Sequence, residues 1–173
     1  MAEFNSAENL NMNLAENLST DVMTGGLDER MFLYFRLSGS MKKADGVDII
    51  VSFLMESGVK MILKDLDQAL QRGAKIRILT GNYLGITQPS ALYLIKRKLG
   101  DQVDLRFYND PQAYMFHYAT YSEMYIGSSN VSRSALTSGI EWNYRFNSKT
   151  DPESYQKFYE TFEDLFEHHS KNN

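Results

Sequence analysis

The residues with the most chemical content stand together after a short apolar run. Gly127-Ser128-Ser129-Asn130 follows Tyr125-Ile126, and Glu141 comes eleven residues after Asn130. Taken alone, Gly-Ser-Ser-Asn is a common turn, because glycine supplies a positive φ while serine and asparagine hydrogen-bond their own backbone. Any chemistry at this stretch therefore depends on the elements that position it.

The histidines offer two further candidates. His117 lies inside a strand-like run and lacks a lysine two places on, so we interpret it as a structural or surface residue. His168-His169 has acidic neighbours, but adjacent histidines on a helix point in different directions. We therefore expect no metal site there.

Strands and helices alternate before the Gly-Ser-Ser-Asn stretch. The run 47–53 is β-branched and nearly continuously apolar, as in a strand buried on both faces. Apolar residues at 59, 62, 63, 66 and 70 share one face of a helix, and Gly73 is placed to end it. A further helix opened by Pro89 lies between strand-like runs at 75–79 and 103–108. This order predicts parallel βαβ units.

In the second half of the sequence, strand-like runs follow one another closely instead of alternating with helices. Runs 113–118 and 123–126 predict a hairpin and 140–146 predicts another strand. Asp151 and Pro152 then have the residue types of an N-cap and a first helical position. The expected product is an α/β domain with a mixed sheet flanked by helices on both faces.

Composition excludes several classes of function. The chain has 173 residues, no cysteine and a net charge of 18 − 22 = −4. Thiolate catalysis, disulfides and cysteine-bound metals are excluded, and nucleic acid would be contacted only at a local site. No stretch approaches the ~20 apolar residues of a membrane span.

The N-terminus is predicted to be a separate arm. Residues 1–26 contain no Lys or Arg, which a signal peptide requires, so a cytoplasmic location is expected. Leu10, Leu14 and Leu18 predict a short amphipathic helix, and Gly25-Gly26 breaks the chain. We expect a weakly ordered arm over 1–26, either docking on a partner or frayed, and a domain over 27–170.

Several segments together resemble the phospholipase D superfamily, and in particular the phospholipase D-like domains at the N-terminus of bacterial DEAD/DEAH-type (superfamily II) helicases. The match runs from about Ala44 to Phe166. It rests on Ala44-Asp45-Gly46-Val47-Asp48-Ile49-Ile50-Val51-Ser52-Phe53, Ile76-Arg77-Ile78-Leu79-Thr80-Gly81-Asn82-Tyr83, Ile126-Gly127-Ser128-Ser129-Asn130-Val131-Ser132-Arg133-Ser134-Ala135-Leu136 and Ser138-Gly139-Ile140-Glu141-Trp142-Asn143.

The resemblance implies a phosphohistidine mechanism. One histidine attacks phosphorus and a second protonates the leaving oxygen, with no metal or other cofactor. Asn130 would bind the substrate phosphate, Ser128 would support the site and Glu141 would orient the histidine. One chain carries half a site, so a homodimer is expected to complete it.

The chain departs from the family motif in one essential place. The His-x-Lys pair (the first part of the HKD motif) should lie just before Ala113, where the sequence reads Asp110-Pro111-Gln112. His117 stands where the motif has an acidic residue. Either the domain is degenerate and binds without cutting, or the native chain contains further residues between Tyr108 and Ala113.

The resemblance implies a phosphodiester-processing, nuclease-like hydrolase domain that accompanies a DNA or RNA helicase. Its expected partners are nucleic acid, most simply DNA, a second copy of the chain and a helicase motor domain in a longer protein, with no membrane. The alternative is a degenerate phospholipase D-like domain that serves DNA binding or dimerisation only. Lipid headgroup hydrolysis is disfavoured because the sequence has no amphipathic membrane-binding face.

Overall fold

The fold is built on one mixed sheet. The computed structural model describes residues 21–81, 83–108, 112–169 and 171–172. Within them, eight strands pair in the order β1-β7-β6-β5-β2-β3-β4-β8. The strands are β1 Asp21–Gly25, β2 Gly46–Val51, β3 Lys75–Thr80, β4 Val103–Phe107, β5 Ala113–His117, β6 Ser122–Gly127, β7 Ile140–Asn147 and β8 Lys171–Asn172.

Strand direction follows the sequence pattern. β2, β3 and β4 are parallel, whereas β5, β6, β7 and β1 add to β2 as an antiparallel series. The parallel strands are joined by helical crossovers, β5 and β6 by a short turn, and β6 and β7 by the longer loop 128–139. The helices are α1 Leu33–Met41, α2 Glu56–Gln71, α3 Pro89–Leu99, α4 Arg133–Leu136 and α5 Pro152–Asp164.

Helices cover both faces of the sheet, which confirms the predicted fold class. α1, α2 and α3 pack on one face through residues such as Leu37, Leu66 and Ile95. α5 packs on the other through Tyr155 and Phe162. Asp151 caps α5 by accepting a hydrogen bond from the Ser154 N–H at 3.1 Å, as predicted.

The two ends of the chain add strands that the sequence pattern did not predict. Asp21–Gly25, the last part of the predicted arm, pairs with β7 as edge strand β1, and Lys171–Asn172 pairs with β4. The first twenty residues lie outside the described ranges, so the predicted arm and the domain boundary at residue 27 stay predictions. Among the described helices, none has the length and apolar character that crossing a membrane requires.

Candidate functional site

One edge of the sheet gathers the predicted site residues. β2, β3 and β4 end there, β5 begins there and β6 ends there, because Ala113 pairs with Ile50 on one side and with Ile126 on the other. We call this the site edge. Ligands of open α/β sheets commonly bind outside the carboxyl ends of parallel strands, which is the same place.

Ser128 and Glu141 are joined at the site edge. The Ser128 hydroxyl donates a hydrogen bond to Glu141 Oε2, and its oxygen accepts one from the Trp142 N–H at 3.2 Å. The strands approach very closely here, since a Cβ at Gly127 would lie 2.0 Å from the Trp142 carbonyl oxygen. Glycine at 127 therefore lets β6 deliver Ser128 to the carboxylate.

Asn130 is held from the opposite side. Its Oδ1 accepts a hydrogen bond from the Phe53 N–H at 3.0 Å, just after β2. Its amide nitrogen Nδ2 has no hydrogen-bond partner within the described part of the chain. The carbonyl side of the amide is thus fixed to the backbone, while the N–H groups remain to donate to an anion.

Ser129, between these two residues, anchors the loop in the core. It is fully buried, and its hydroxyl accepts a hydrogen bond from Asn143 Nδ2 at 2.8 Å. Tyr114 donates to the Ser129 carbonyl oxygen at 3.1 Å. Burial and the nearby Glu141 carboxylate raise the pKa of Tyr114, so its hydroxyl stays protonated and keeps this bond.

Gln112 lies where the family motif has lysine. Its Nε2 donates to the Ser52 hydroxyl, at the end of β2, at 2.7 Å. Ser52 was missed in the sequence, although its position just after a buried strand that feeds the site edge is the signal that could have found it. Asp110, which stands at the histidine position, lies outside the described residues.

His117 occupies the far end of β5. It is four positions from Ala113, or about 13 Å along a strand. Its Nε2 is 2.7 Å from Asp48 Oδ2 and its Nδ1 is 3.0 Å from the Ser122 hydroxyl. Asp48 is also bound twice by Arg77, each time at 2.7 Å. His117 therefore belongs to the hydrogen-bond network around buried Asp48 and is out of reach of the site edge.

The C-terminal histidines are also distant from the motif. The His169 ring lies 6.2 Å from the ring of Tyr108, which follows β4. β4 is two strands from β2, whose end holds Asn130, or about 10 Å at the usual spacing between strands. The sequence has three histidines in all, and His168 is the neighbour of His169.

Two further residues lie near candidate ligand-binding surfaces. Trp142 is largely exposed. Arg77 is bound to Asp48 and Glu163. Neither its charge nor its hydrogen bonds are available to a ligand.

The sheet topology, the Gly-Ser-x-Asn loop and its carboxylate define an α/β domain of the phospholipase D type. The family model described as "Cardiolipin synthase, PLD-like domain" matches residues 38–168, so the chain belongs to this family. The superfamily expected from the sequence is confirmed, whereas the helicase-linked branch stays a prediction. No curated protein matches the chain.

Several solved structures share the fold. NucT from Helicobacter pylori is 13% identical with a TM-score of 0.63, covering 82% of this chain and 92% of its own. Nuc from Salmonella typhimurium, a phospholipase D family member, is 17% identical with a TM-score of 0.64, covering 90% and 99%. The archaeal chromatin protein TrmBL2 is 16% identical with a TM-score of 0.54, covering 99% and 62%. At these identities the likeness shows the fold alone.

Proposed function

We propose that this domain binds nucleic-acid phosphodiesters at the site edge and does not hydrolyse them with its own residues. The observation that carries the proposal is the anchored Asn130 amide, whose N–H groups have no partner among the described residues, in a site whose described surroundings contain no histidine. By strand geometry His117 lies about 13 Å from Ala113, and β4, which His169 contacts through Tyr108, is about 10 Å from β2, whose end holds Asn130. Neither histidine is therefore placed to attack a phosphorus bound to Asn130.

The binding chemistry is local. Asn130 Nδ2 donates to a phosphate oxygen, and exposed Arg133, three residues further on, supplies positive charge. The Arg133 guanidinium forms no ion pair within the described residues. Because the chain as a whole carries −4, such a site holds a few phosphates and does not coat a duplex.

The proposed setting is the one that the resemblance implies. Two copies pair so that two half-sites meet, and the domain accompanies a helicase motor in a longer cytoplasmic protein. A related fold serves a DNA-binding protein, since the archaeal chromatin protein TrmBL2 shows a novel mode of DNA binding.

The test is the affinity for a fluorescent DNA oligonucleotide, measured by anisotropy in EDTA. In Asn130→Asp the carboxylate still accepts the Phe53 N–H but offers no donor. A lost hydrogen bond to a charged group costs about 1.5–3 kcal/mol, so we expect Kd to rise at least roughly tenfold. Gln71→Glu makes the same amide-to-carboxylate change at the last residue of α2, away from the site edge. This variant should bind DNA as the wild type does.

Two outcomes would overturn the proposal. Equal DNA affinities for Asn130→Asp and Gln71→Glu would show that DNA does not bind at the site edge. Cleavage of the oligonucleotide by the wild-type protein in EDTA would show that the domain hydrolyses DNA.

Cleavage is the second candidate, and the Ser128–Glu141 pair favours it, because a carboxylate fixed in this way can orient an imidazole. It requires His-x-Lys before Ala113 in the native chain. The intact mass of the natural protein distinguishes the two candidates. A mass above 19.9 kDa, with extra residues mapped between Tyr108 and Ala113, would establish the missing pair.

A further inference from the structure

Half of one sheet face has no cover in the described part of the chain. On the α5 face, the helix covers Met115, Met124 and Phe146. Toward β1, the same face exposes a continuous set of apolar side chains. These are Val22, Ile140, Trp142 and Tyr144, which are 53%, 81%, 75% and 46% exposed, with half-buried Ile126 beside them.

We call this uncovered part of the sheet, beside β1 and β7, the open face. It forms a groove lined by no charged residue of the described chain. A cavity of about 300 Å³ is lined by Val22, Thr24, Ile126, Trp142, Asn143 and Tyr144. The absence of a cation from this lining disfavours a nucleic-acid strand, whose phosphates require one. Contiguous apolar surface of this kind usually marks a contact with another protein segment.

The chain carries a segment suited to this face. Phe4, Ala7, Leu10, Leu14 and Leu18 fall within a third of the circumference of a helix, in residues that lie outside the described ranges. The segment ends two residues before β1, a connection length that is common between a helix and a strand. A helix over residues 4–18 would be about 22 Å long.

We propose that residues 4–18 form an amphipathic helix that packs antiparallel to β1 on the open face of its own chain. The spacings agree, because leucines four apart on a helix are separated by about 6 Å and alternate strand residues by about 6.8 Å. Val22 pairs with Tyr144, so Leu18 lies over Tyr144 and Leu14 over Trp142. This packing is independent of the proposed DNA binding.

Trp142 makes the proposal testable because it is the single tryptophan. In the full chain its fluorescence should be shielded from acrylamide. Leu14→Asp places a charge over the ring, so we expect a several-fold larger quenching constant and emission at longer wavelength. Met12→Asp makes the same kind of change on the opposite side of the helix and should leave both unchanged.

A second measurement does not depend on fluorescence. The chain has no cysteine, so Leu18→Cys with Tyr144→Cys should form a disulfide within one chain under mild oxidation, whereas Met12→Cys with Tyr144→Cys should not.

Any of three outcomes would overturn the proposal. The first is equal quenching in Leu14→Asp and Met12→Asp. The second is a disulfide that links two chains instead of closing within one. The third is shielding that disappears on dilution in step with dissociation in sedimentation, which would assign the cover to a second copy.

Discussion

Asp48 is 2% exposed and binds both Arg77 and His117, so we expect its charge to matter for stability. Asp48→Asn breaks a buried ion pair but leaves Arg77 its contact with Glu163. The expected loss of unfolding free energy is about 3 kcal/mol, the lower end for such a change. Asp104→Asn, in an exposed pair with Arg106, should cost less than about 1 kcal/mol. Urea denaturation at neutral pH measures both, and equal losses would contradict the prediction.

The same carboxylate predicts a pH dependence. Burial alone would raise the pKa of Asp48, but hydrogen bonds from Arg77 and His117 hold it below its ordinary value. An unfolded aspartate titrates near about 4, so the folded protein binds fewer protons between the two pKa values. The stabilisation is complete above about pH 4 and is lost as the pH falls through the folded-state pKa. We expect the unfolding free energy of the wild type to fall more steeply below about pH 4 than that of Asp48→Asn. Parallel curves would be evidence against this role.

At the same scale, Ser128, Asn130 and Glu141 were singled out by their spacing and by the family resemblance, and the structure brings Ser128 into contact with Glu141. Their roles in a site stay predictions. The ion pairs of Arg77 and the exposure of Trp142 could not be predicted, because charge and hydrophobicity do not reveal whether a long-range partner neutralises the one or covers the other. Asp48 lies 29 positions from Arg77 in the chain.

At the scale of elements, α2 holds the site loop through close backbone contact. A Cβ at Gly58 would lie 2.5 Å from the Val131 carbonyl, whereas one at Gly39 in α1 has open space. Gly58→Ala should therefore destabilise by about 1–3 kcal/mol through overpacking. Gly39→Ala should stabilise by up to about 1 kcal/mol from helix propensity. Thermal unfolding of the two variants measures both effects. Stabilisation by both substitutions would contradict the close contact between Gly58 and Val131.

Elements with a strong period were predicted well. α2 has one apolar face, α3 ends at Gly100 with a φ of 64°, and β2 is buried throughout its length. β1 and β8 were missed because five and two residues give too little alternation to recognise, and because Gly25-Gly26 suggested a break instead of a strand end. Which strand lies beside which depends on contacts distant in sequence.

At the scale of the whole molecule, the proposed homodimer is open to direct measurement. A single Gly-Ser-x-Asn loop supplies half of a two-motif site, so we expect a dimer by sedimentation velocity at concentrations well above micromolar. A strictly monomeric mass there would exclude a site completed by two chains. Asn130→Asp should not change the result if dimer formation and DNA binding are separate properties.

The way the site edge is built also has an evolutionary consequence. Asn130 and Ser129 are tied into the sheet by Phe53, Tyr114 and Asn143, so we expect mutations there to cost stability as well as the proposed binding. The motif positions that the resemblance assigns to the reactive pair instead precede β5, and Gln112, the one that the structure describes, is only half-buried. We expect substitutions there to cost little stability, whereas the requirement to fold preserves the anchored loop. Under the proposed function, drift at those two positions removes hydrolysis and leaves phosphate binding intact.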